Sequence, residues 1–392
     1  MRIALAPVGG HGDVLPLLAL GSTLHARGHS VLVCAPEIYR SRIMKLGFQM
    51  VSIGSGFQDL LEGHTDVKNR EEVLLRAVST EVPVQFVSLR DSLREADVLI
   101  GSMLQIAGPS MCEQLGLPYF YVATTPVLLD KSQYPSIGVS AGGVFKSISR
   151  ARLANHWEQV LGEAINRERK LCGQPPVTDL FQHLFCSGYQ VIAVDPDMAP
   201  VPANSKRTVT GFLFHDSSEP LGTEWHEYFT AGPPPIYLAP VRIRRHAGIE
   251  LIKMVAEVVP RLLVGWGWSG IDPKQLPANS SFLDSDAFSL IFPNVALVVH
   301  QGGTELTAAA ARAGVPQVIV PHLVDQNYWA DRVEALKLGP PAARSELADT
   351  VRKTMGDASL RASAQKYGET IRSRDGLTTA AETIEKNVQP KI

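Results

Sequence analysis

Short apolar runs alternate with segments of helical periodicity along most of this chain. In the first half the apolar runs are "RIALAPV", "SVLVCAP", "QMVSI", "DVLIGS", "PYFYVAT" and "YQVIAV". Segments such as "LPLLALGSTLHARG" and "GPSMCEQLG" between them have the spacing of helices. Because the runs are apolar throughout, and not only at alternate positions, we expect both faces of each strand to be covered. The pattern predicts a parallel sheet flanked by helices.

The second half repeats this arrangement. Its apolar runs are "PPIYLAP", "RLLVGWGW", "SLIFPN", "VALVVH" and "PQVIVPH", and its helical segments include "AGIELIKMVAEVV" and "TELTAAAARAG". After Leu338-Gly339-Pro340-Pro341 the chain is predicted to be helical to its end, without a further strand. The sequence therefore predicts an α/β protein with two doubly wound, Rossmann-like domains.

The chain of 392 residues is longer than one hydrophobic core usually supports. The segment "DPDMAPVPANSKRTVTGFLFHDSSEP" is rich in Pro, Asn and Ser and lacks helical periodicity, as linkers do. We therefore predict a first domain over residues 1–198, a linker over 199–232, a second domain over 233–370 and a C-terminal helix over 371–392.

Composition narrows the class of protein. Hydrophobic residues make up 45% and charged residues 19%, the formal net charge is −2, and no block of five like charges occurs, which argues against a nucleic-acid partner or an electrostatic membrane anchor. The sequence contains no run of 18 apolar residues, so we expect no membrane span. The apolar run of "RIALAPVGG" is too short for a signal peptide. The four cysteines lack metal-ligand spacing, which indicates reduced core thiols and a cytoplasmic location.

A glycine-rich turn follows the first predicted strand. Gly10-x-Gly12 begins like a dinucleotide fingerprint, and Glu37 ends the next strand, but Leu15 stands where the third glycine belongs. No Gly-Lys-Ser/Thr follows, which excludes a Walker loop. Asp13 begins the next helix, either as an N-terminal helix residue or as a general base in the cleft at the carboxyl edge of the sheet.

A second turn of this kind occurs in the other half, in "VALVVHQGGTELTAAAARAG". Here a strand, His300, a Gly-Gly turn and a helix follow one another, so backbone N–H groups at the helix start can bind phosphate oxygens. Asp325 and Gln326, further along, carry groups suited to sugar hydroxyls.

These segments, with "ARAGVPQVIVPHLVDQNYWADRV", resemble the family 1 nucleotide-sugar glycosyltransferases of the two-Rossmann-domain (GT-B) fold, nearest the bacterial sterol, antibiotic and rhamnosyl branch. The resemblance implies two facing domains, the first for the acceptor and the second for the donor, and a C-terminal helix that returns to the first. It also implies site residues. These are Asp13 as the general base, Gly10, His11 and Gly12 in the acceptor-side loop, His300, Gly302, Gly303 and Thr304 at the diphosphate, and Asp325 and Gln326 at the donor sugar.

The activity implied by the resemblance is that of a hexosyltransferase. It moves a sugar from a UDP- or dTDP-sugar to a hydroxyl with inversion, and it needs no metal or other cofactor. The irregular segments "GSGFQDLLEGHTDVKN" and "TTPVLLDKSQYPSIGVSAGGVFKSISRARLANHW" fall where the family lines its acceptor cleft. Their Phe, Leu, Tyr and Trp content favours a small apolar acceptor such as a natural product, sterol or lipid. The sequence does not decide between a monomer and a homodimer.

Two departures from the family pattern affect the donor loops. Glu305 and Leu306 follow Thr304 where the family has Ala-Gly-Thr, and a carboxylate about 4 Å from a phosphate would cost about 4 kcal/mol at an effective dielectric of about 20. Pro240 stands in the loop after the second domain's first strand, where it removes a backbone donor. Arg242, near Arg244 and Arg245, either replaces the missing phosphate contacts and pairs with Glu305 or belongs to a solvated basic loop.

Three alternatives stay open at this point. Asp195-Pro196-Asp197 has the spacing of a manganese-binding pair but also that of a turn. Phe288, and the tryptophans of "GWGWSG", either contact the nucleotide base or pack. For the whole protein, an active glycosyltransferase competes with a donor-degenerate auxiliary or binding protein and with a dinucleotide-dependent enzyme.

Overall fold

A computed structural model describes residues 1–54, 70–126, 137–141, 144–148, 150–202, 204–217, 219–240, 245–265, 267, 272–321 and 325–389. The chain divides into two compact units. The first comprises residues 1–136, 148–215 and 375–392, and the second comprises residues 137–147 and 216–374. The segment predicted as a linker is thus shared, with 199–215 in the first unit and 216–232 in the second.

The first unit contains a seven-stranded parallel sheet. Its strands are β1 (Arg2–Ala6), β2 (Ser30–Ala35), β3 (Gln49–Ser52), β4 (Val98–Gly101), β5 (Tyr119–Ala123), β8 (Tyr189–Ile192) and β9 (Arg207–Val209). Two more strands, β6 (Ile137–Ala141) and β7 (Val144–Ile148), form a separate two-stranded sheet, and residues 137–147 belong to the second unit. The order in the large sheet is β3-β2-β1-β4-β5-β8-β9, so its direction of winding reverses between β1 and β4. In register, Ile3 lies between Val31 and Val98.

Helices cover both faces of this sheet. They are α1 (His11–Ala26), α2 (Arg40–Lys45), α3 (Arg70–Ser92), α4 (Gly108–Leu115), α5 (Arg150–Leu171) and α6 (Leu180–Cys186). Leu17, Leu18 and Leu20 of α1 have no solvent exposure and pack with Leu5 and Val33 of the sheet. The continuous apolar character of these strands is therefore explained by burial on both sides.

The C-terminal helix α14 (Gly376–Asn387) belongs to the first unit. It begins with Asp375, whose side chain accepts a hydrogen bond from the Thr378 backbone N–H. At its other end the Glu385 carboxylate accepts two hydrogen bonds from Arg27, at 2.8 and 2.7 Å, and lies 2.9 Å from His29 Nε2. Arg27, through its hydrogen bonds, lowers the pKa of Glu385 to about 2.

The second unit contains a five-stranded parallel sheet. Its strands are β10 (Ile236–Leu238), β11 (Leu262–Val264), β12 (Ser280–Phe282), β13 (Leu297–His300) and β14 (Gln317–Ile319), in the order β12-β11-β10-β13-β14. The winding reverses between β10 and β13. Ile236 and Leu238 face one hydrophobic cluster and Tyr237 faces another, so this sheet too is covered on both sides.

The helices of the second unit are α7 (Thr223–Thr230), α8 (Arg245–Ala256), α9 (Phe288–Ile291), α10 (Thr304–Ala313), α11 (Gln326–Ala335), α12 (Leu347–Met355) and α13 (Ala358–Arg372). Short 3₁₀ segments lie at Glu37–Tyr39, Pro273–Gln275, Phe292–Asn294 and Arg344–Glu346. From Leu347 to the last described residue the chain is helical with no strand, as the sequence predicted.

The prediction of two parallel α/β domains is confirmed, and three details were wrong. The run "SLIFPN" was predicted as a strand but forms part of α9 and a 3₁₀ turn. The strand in this region is β12, which precedes the run and was not predicted. The predicted linker contains β9, the edge strand of the first sheet. The segment "TTPVLLDKSQYPSIGVSAGGVFKSISRARLANHW" is not irregular throughout, because it contains β6, β7 and the start of α5. Among the described residues, no helix is both long enough and apolar enough to cross a membrane. None of the four cysteines forms a disulfide bond.

Candidate active site

Each sheet has a point where its winding reverses, and ligands of open α/β sheets bind at the carboxyl ends of the strands there. In the first unit this point lies between β1 and β4. Ser102, directly after β4, fixes the loop after β1, since its Oγ accepts a hydrogen bond from the Val8 N–H and donates one to the Val8 carbonyl, both at 2.8 Å. The glycine-rich turn that contains Asp13 starts from this position.

The Asp13 carboxylate folds back onto the turn. Its Oδ2 accepts a hydrogen bond from the Gly10 N–H at 3.1 Å, while the Asp13 N–H donates to the Gly10 carbonyl at 3.0 Å. Gly9 has φ +144°, and a Cβ at Gly9 would lie 2.3 Å from Asp13 Oδ2. Asp13 is thus an N-terminal residue of α1, as one alternative required, and its partly exposed carboxylate also lies at the carboxyl edge of the sheet. The two roles do not exclude each other.

His11 and Gly12 form the first turn of α1 beside Asp13. The His11 ring packs edge-on against Tyr39 with a centroid distance of 5.4 Å, and the Tyr39 hydroxyl donates to the Gly9 carbonyl at 3.4 Å. Burial, with smaller contributions that include the Asp13 charge, raises the pKa of Tyr121 well above its usual value. The predicted acceptor-side loop is therefore held by aromatic contacts as well as by hydrogen bonds.

In the second unit the winding reverses between β10 and β13, and His300 ends β13. His300 has no solvent exposure. Its Nδ1 lies 3.1 Å from the Gly302 N and its Nε2 lies 2.9 Å from Gln317 Oε1. Burial lowers the pKa of His300 to about 4, so the ring is neutral at pH 7. A direct contact between the His300 ring and a diphosphate would require one of these two hydrogen bonds to break, and the contact itself stays a prediction.

The loop after β13 packs closely against the start of α11. Gly302 has φ +91°, and a Cβ there would lie 2.7 Å from Ile319 Cγ2 and 3.0 Å from the Gln326 carbonyl oxygen. Only glycine satisfies both the left-handed backbone and this approach. The structure thus brings the Gly302-Gly303 turn and Gln326, predicted separately as diphosphate and sugar contacts, to one place.

Helix α10 begins at Thr304, with Gly303 as its N-cap. Its first intrahelical bond of the usual spacing runs from the Thr307 N–H to the Gly303 carbonyl at 3.0 Å, so the preceding N–H groups have no partner within the helix. Glu305 is acidic and lies in this first turn, where the positive end of the helix stabilises a carboxylate. A bound diphosphate would compete with Glu305 for the same positive potential.

Asp325 is the N-cap residue of α11, and Gln326 is buried at 5% exposure. Burial raises the pKa of Asp325 to about 6, an effect opposed by hydrogen bonds that include one with the Trp329 side chain. The Asp325 carboxyl is therefore mainly ionised at pH 7 and protonated below pH 6. As a carboxylate it can accept hydrogen bonds from sugar hydroxyls.

Phe288 packs inside the second unit. It is 8% exposed, its ring stacks on Phe292 at 5.1 Å, and its edge meets Tyr237 at 6.3 Å. This geometry favours the packing alternative over contact with a nucleotide base. Arg242 and Arg244, together with Trp266 and Trp268, lie outside the described residues.

Asp195 forms a turn. It is 1% exposed, and its Oδ1 accepts hydrogen bonds from the backbone N–H groups of Asp197 and Met198 at 3.0 and 3.1 Å. This hydrogen-bond pattern is that of an Asx turn. In the part of the chain that the structure describes, no group of three or more His, Cys, Asp or Glu side chains is arranged to hold a metal ion.

A cavity of about 400 Å³ lies elsewhere in the first unit. Its lining includes Tyr119 and Tyr189, the first residues of β5 and β8, so it lies at the amino ends of these strands. None of the predicted site residues lines it.

Sequence reasoning missed three residues that shape the two turns: Tyr39, Ser102 and Gln317. For Ser102 a signal existed, because a polar residue directly after a strand points to the ligand edge of a parallel sheet. For Gln317 the signal was a lone amide in the apolar run "PQVIVPH". Tyr39 had no such signal, since its contact with the turn depends on the tertiary fold.

Two family models match the chain. Residues 3–133 match the glycosyltransferase family 28 N-terminal domain, and residues 252–386 match the C-terminal domain of erythromycin biosynthesis protein CIII-like proteins. The chain is 29% identical over 359 residues to the glycosyltransferase GtfE of Amycolatopsis orientalis, covering 86% of this chain and 85% of that protein. It is 29% identical over 357 residues to the vancomycin aglycone glucosyltransferase of the same organism, with the same coverage.

Solved structures share the fold. The Streptomyces glycosyltransferase SsfS6, in a crystal structure with thymidine diphosphate, has a TM-score of 0.69 at 17% identity, over 98% of this chain and 99% of that one. With the family matches, these likenesses define an enzyme of the glycosyltransferase class with the GT-B fold. The chain joins a segment that matches the family 28 N-terminal domain to one that matches the erythromycin CIII-like C-terminal domain, and it is a hexosyltransferase. These matches reject the alternative of a dinucleotide-dependent enzyme and support glycosyl transfer.

Proposed function

We propose that this protein transfers a hexose from a UDP- or dTDP-sugar to a hydroxyl of a small apolar acceptor, with inversion at the anomeric carbon and without a metal or other cofactor. The observation that carries the proposal is the Asp13 carboxylate, held by Gly10 at the carboxyl edge of the first sheet. The acceptor binds to the first unit and the nucleotide sugar to the second.

In the proposed reaction the acceptor oxygen attacks the anomeric carbon while its proton passes to the Asp13 carboxylate. The new glycosidic bond forms as the bond between that carbon and the diphosphate oxygen breaks, and the nucleoside diphosphate leaves with the bonding electron pair. General base catalysis of this kind contributes roughly 10²- to 10⁴-fold. The Gly10 N–H keeps the carboxylate in one orientation, so that the proton acceptor is already in place.

The second unit stabilises the departing diphosphate through the N-terminus of α10. The backbone N–H groups there point outward from the helix start, and preorganised donors are usually the largest single source of catalysis. Asp325 and Gln326 bind the sugar hydroxyls beside this loop. Gly302 and Gln326 are in contact, which supports a shared site for sugar and diphosphate.

Relatives support the substrate classes. One acts, by its name, on vancomycin aglycone as a glucosyl acceptor, and a structural neighbour binds thymidine diphosphate. From these we infer a natural-product aglycone as acceptor and favour a dTDP- or UDP-linked hexose as donor. The cytoplasmic location stays a prediction, and the choice between a monomer and a homodimer stays open.

The test of the base is Asp13→Asn. The asparagine keeps an oxygen that can accept from the Gly10 N–H, so the turn is retained while the base is lost. We expect turnover to fall at least 10²-fold with little change in the affinity for dTDP. The measurement is the initial rate of glucosyl transfer from dTDP-glucose and UDP-glucose to a panel of glycopeptide and polyketide aglycones. Turnover that survives the substitution would show that Asp13 is not the base.

A second function is favoured by one observation, the acidic side chain of Glu305 in the first turn of α10. In that case the protein no longer binds a nucleotide-sugar donor and serves as an auxiliary or binding protein. Titration with a nucleoside diphosphate separates the two functions, since only the active enzyme binds it.

A further inference from the structure

Gln317 is a polar residue at the first position of β14, and it has no solvent exposure. Its side-chain amide makes two hydrogen bonds. The Oε1 atom lies 2.9 Å from His300 Nε2, and the Nε2 atom donates to the Thr307 carbonyl at 3.2 Å. Burying an amide is favourable only when such bonds are made, so Gln317 depends on both partners.

The direction of each hydrogen bond follows from one fixed donor. The Gly302 backbone N–H can only donate, so His300 Nδ1 accepts and carries no proton. The neutral ring then holds its proton on Nε2 and donates it to Gln317 Oε1. The amide nitrogen of Gln317 must consequently point to the Thr307 carbonyl, as it does.

Three elements meet through this network. Thr307 lies in α10, Gln317 begins β14, and His300 ends β13. Thr307 also holds the turn directly, because its Oγ1 donates to the Gly303 carbonyl at 2.9 Å. The loop over residues 301–303 is therefore fixed at Gly302 through His300 and at Gly303 through Thr307, and Gln317 joins these two attachments.

We propose that Gln317 is a positioning residue for nucleotide binding. It keeps His300 in the Nε2–H tautomer, so that the Nδ1 lone pair holds the Gly302 N–H and the start of α10 stays arranged for a diphosphate. The proposal rests on the proposed function for the ligand, whereas the tautomer is a property of the protein without ligand. Gln317 is assigned no contact with the substrate.

The test compares Gln317→Met with Gln190→Met. Methionine is similar in volume to glutamine and makes neither hydrogen bond. Gln190 is a matched control in the first unit, since it is 4% exposed, donates to the Phe185 carbonyl at 2.6 Å and accepts from Arg207 Nε at 2.7 Å. A general destabilisation of the protein through lost buried hydrogen bonds would therefore lower nucleotide affinity in both variants.

Two readouts are needed. Long-range ¹H–¹⁵N spectra of ¹⁵N-histidine-labelled protein report the His300 tautomer, with the signal assigned by its loss in His300→Asn. Isothermal titration with dTDP and UDP reports nucleotide affinity. We expect a single Nε2–H tautomer in the native protein and in Gln190→Met, and a mixture in Gln317→Met. We also expect nucleotide affinity to fall about tenfold in Gln317→Met and less than about twofold in Gln190→Met.

The outcomes distinguish this inference from the proposed function. Native affinity for nucleotide in Gln317→Met, or an equal loss in Gln190→Met, would overturn the positioning role. If the native protein binds neither dTDP nor UDP, the proposed function fails. The spectra then decide by themselves whether Gln317 sets the tautomer. A mixture of tautomers in the native protein would overturn it, and a single tautomer lost only in Gln317→Met would support it.

Discussion

The substitution Gly9→Ala tests whether the position of the Asp13 carboxylate matters for turnover. Gly9 has φ +144°, and an added Cβ would lie 2.3 Å from Asp13 Oδ2 and 2.7 Å from its Cγ. Contacts this short cannot persist, so the carboxylate has to move by about 1 Å and lose its hydrogen bond from the Gly10 N–H. A displacement of about 1 Å in a reacting group can cost roughly 10²-fold in rate, which corresponds to about 2.7 kcal/mol in the activation free energy.

Gly28→Ala is the matched control. Gly28 also has a positive φ, +90°, but a Cβ there would meet nothing within 4 Å. Both substitutions carry the backbone strain of a non-glycine residue at positive φ, roughly 1–3 kcal/mol. The difference between the two variants therefore isolates the displacement of Asp13.

The assay measures glucosyl transfer from dTDP-glucose and UDP-glucose to the aglycone panel, with thermal unfolding to verify that both variants are folded. We expect Gly9→Ala to lose about 10²-fold in turnover relative to Gly28→Ala, with dTDP affinity unchanged in both. Equal turnover in the two variants would refute the argument, because it would mean that the Asp13 carboxylate can move without consequence.

Three further predictions concern other parts of the chain. Because burial raises the pKa of Asp325 from 3.8 to about 6, the folded protein retains this proton to a higher pH than the unfolded chain, and stability is lost as the pH rises through 6. Asp325→Asn should therefore raise Tm at pH 8 and leave it unchanged at pH 3.5 in calorimetry; a larger gain at the lower pH would contradict the sign. Arg27 lowers the pKa of Glu385 to about 2 from 4.5, so its contribution is present above pH 4.5 and lost as the pH falls through 2. Glu385→Gln should lower stability by about 1 kcal/mol at pH 7 and less at pH 3, whereas Glu95→Gln, whose partner pair is exposed, should leave Tm unchanged in the same scans. Phe288→Leu should destabilise the second unit by about 1 kcal/mol without changing dTDP affinity in isothermal titration, and weaker nucleotide binding would instead place Phe288 at the base.

Most strands that the sequence located are buried on both faces, whereas β3 is a partly exposed edge strand. Runs such as "RIALAPV" and "VALVVH" are continuous because helices cover both sides of β1 and β13. Four strands were missed. Of these, β9 and β12 lie at sheet edges and have only three residues each, of which several are polar, and β6 and β7 form a separate two-stranded sheet. In β9, the buried Arg207 guanidinium donates hydrogen bonds to Gln190 and to the Pro202 carbonyl. No pattern in the neighbouring sequence predicts these hydrogen bonds.

The parts of the site that depend on neighbouring residues in the sequence could be predicted. Glycine spacing located the turns of Asp13 and Gly302, because positive φ and close approach demand glycine there. The hydrogen bond between His300 and Gln317 was not predicted, since Gln317 lies 17 residues away and meets His300 only when β13 and β14 pair. Ser102 likewise reaches Val8 across 94 residues of sequence.

The central claim is that the second unit binds a nucleoside diphosphate at the start of α10. Isothermal titration of the native protein with dTDP and with UDP, beside the double substitution Glu305→Gly and Leu306→Thr, tests it most directly. The account predicts saturable binding by the native protein, with tighter binding by the double variant because the competing Glu305 carboxylate is gone. No binding by the native protein, with binding restored in the double variant, would contradict the account and identify a glycosyltransferase fold that has lost its donor.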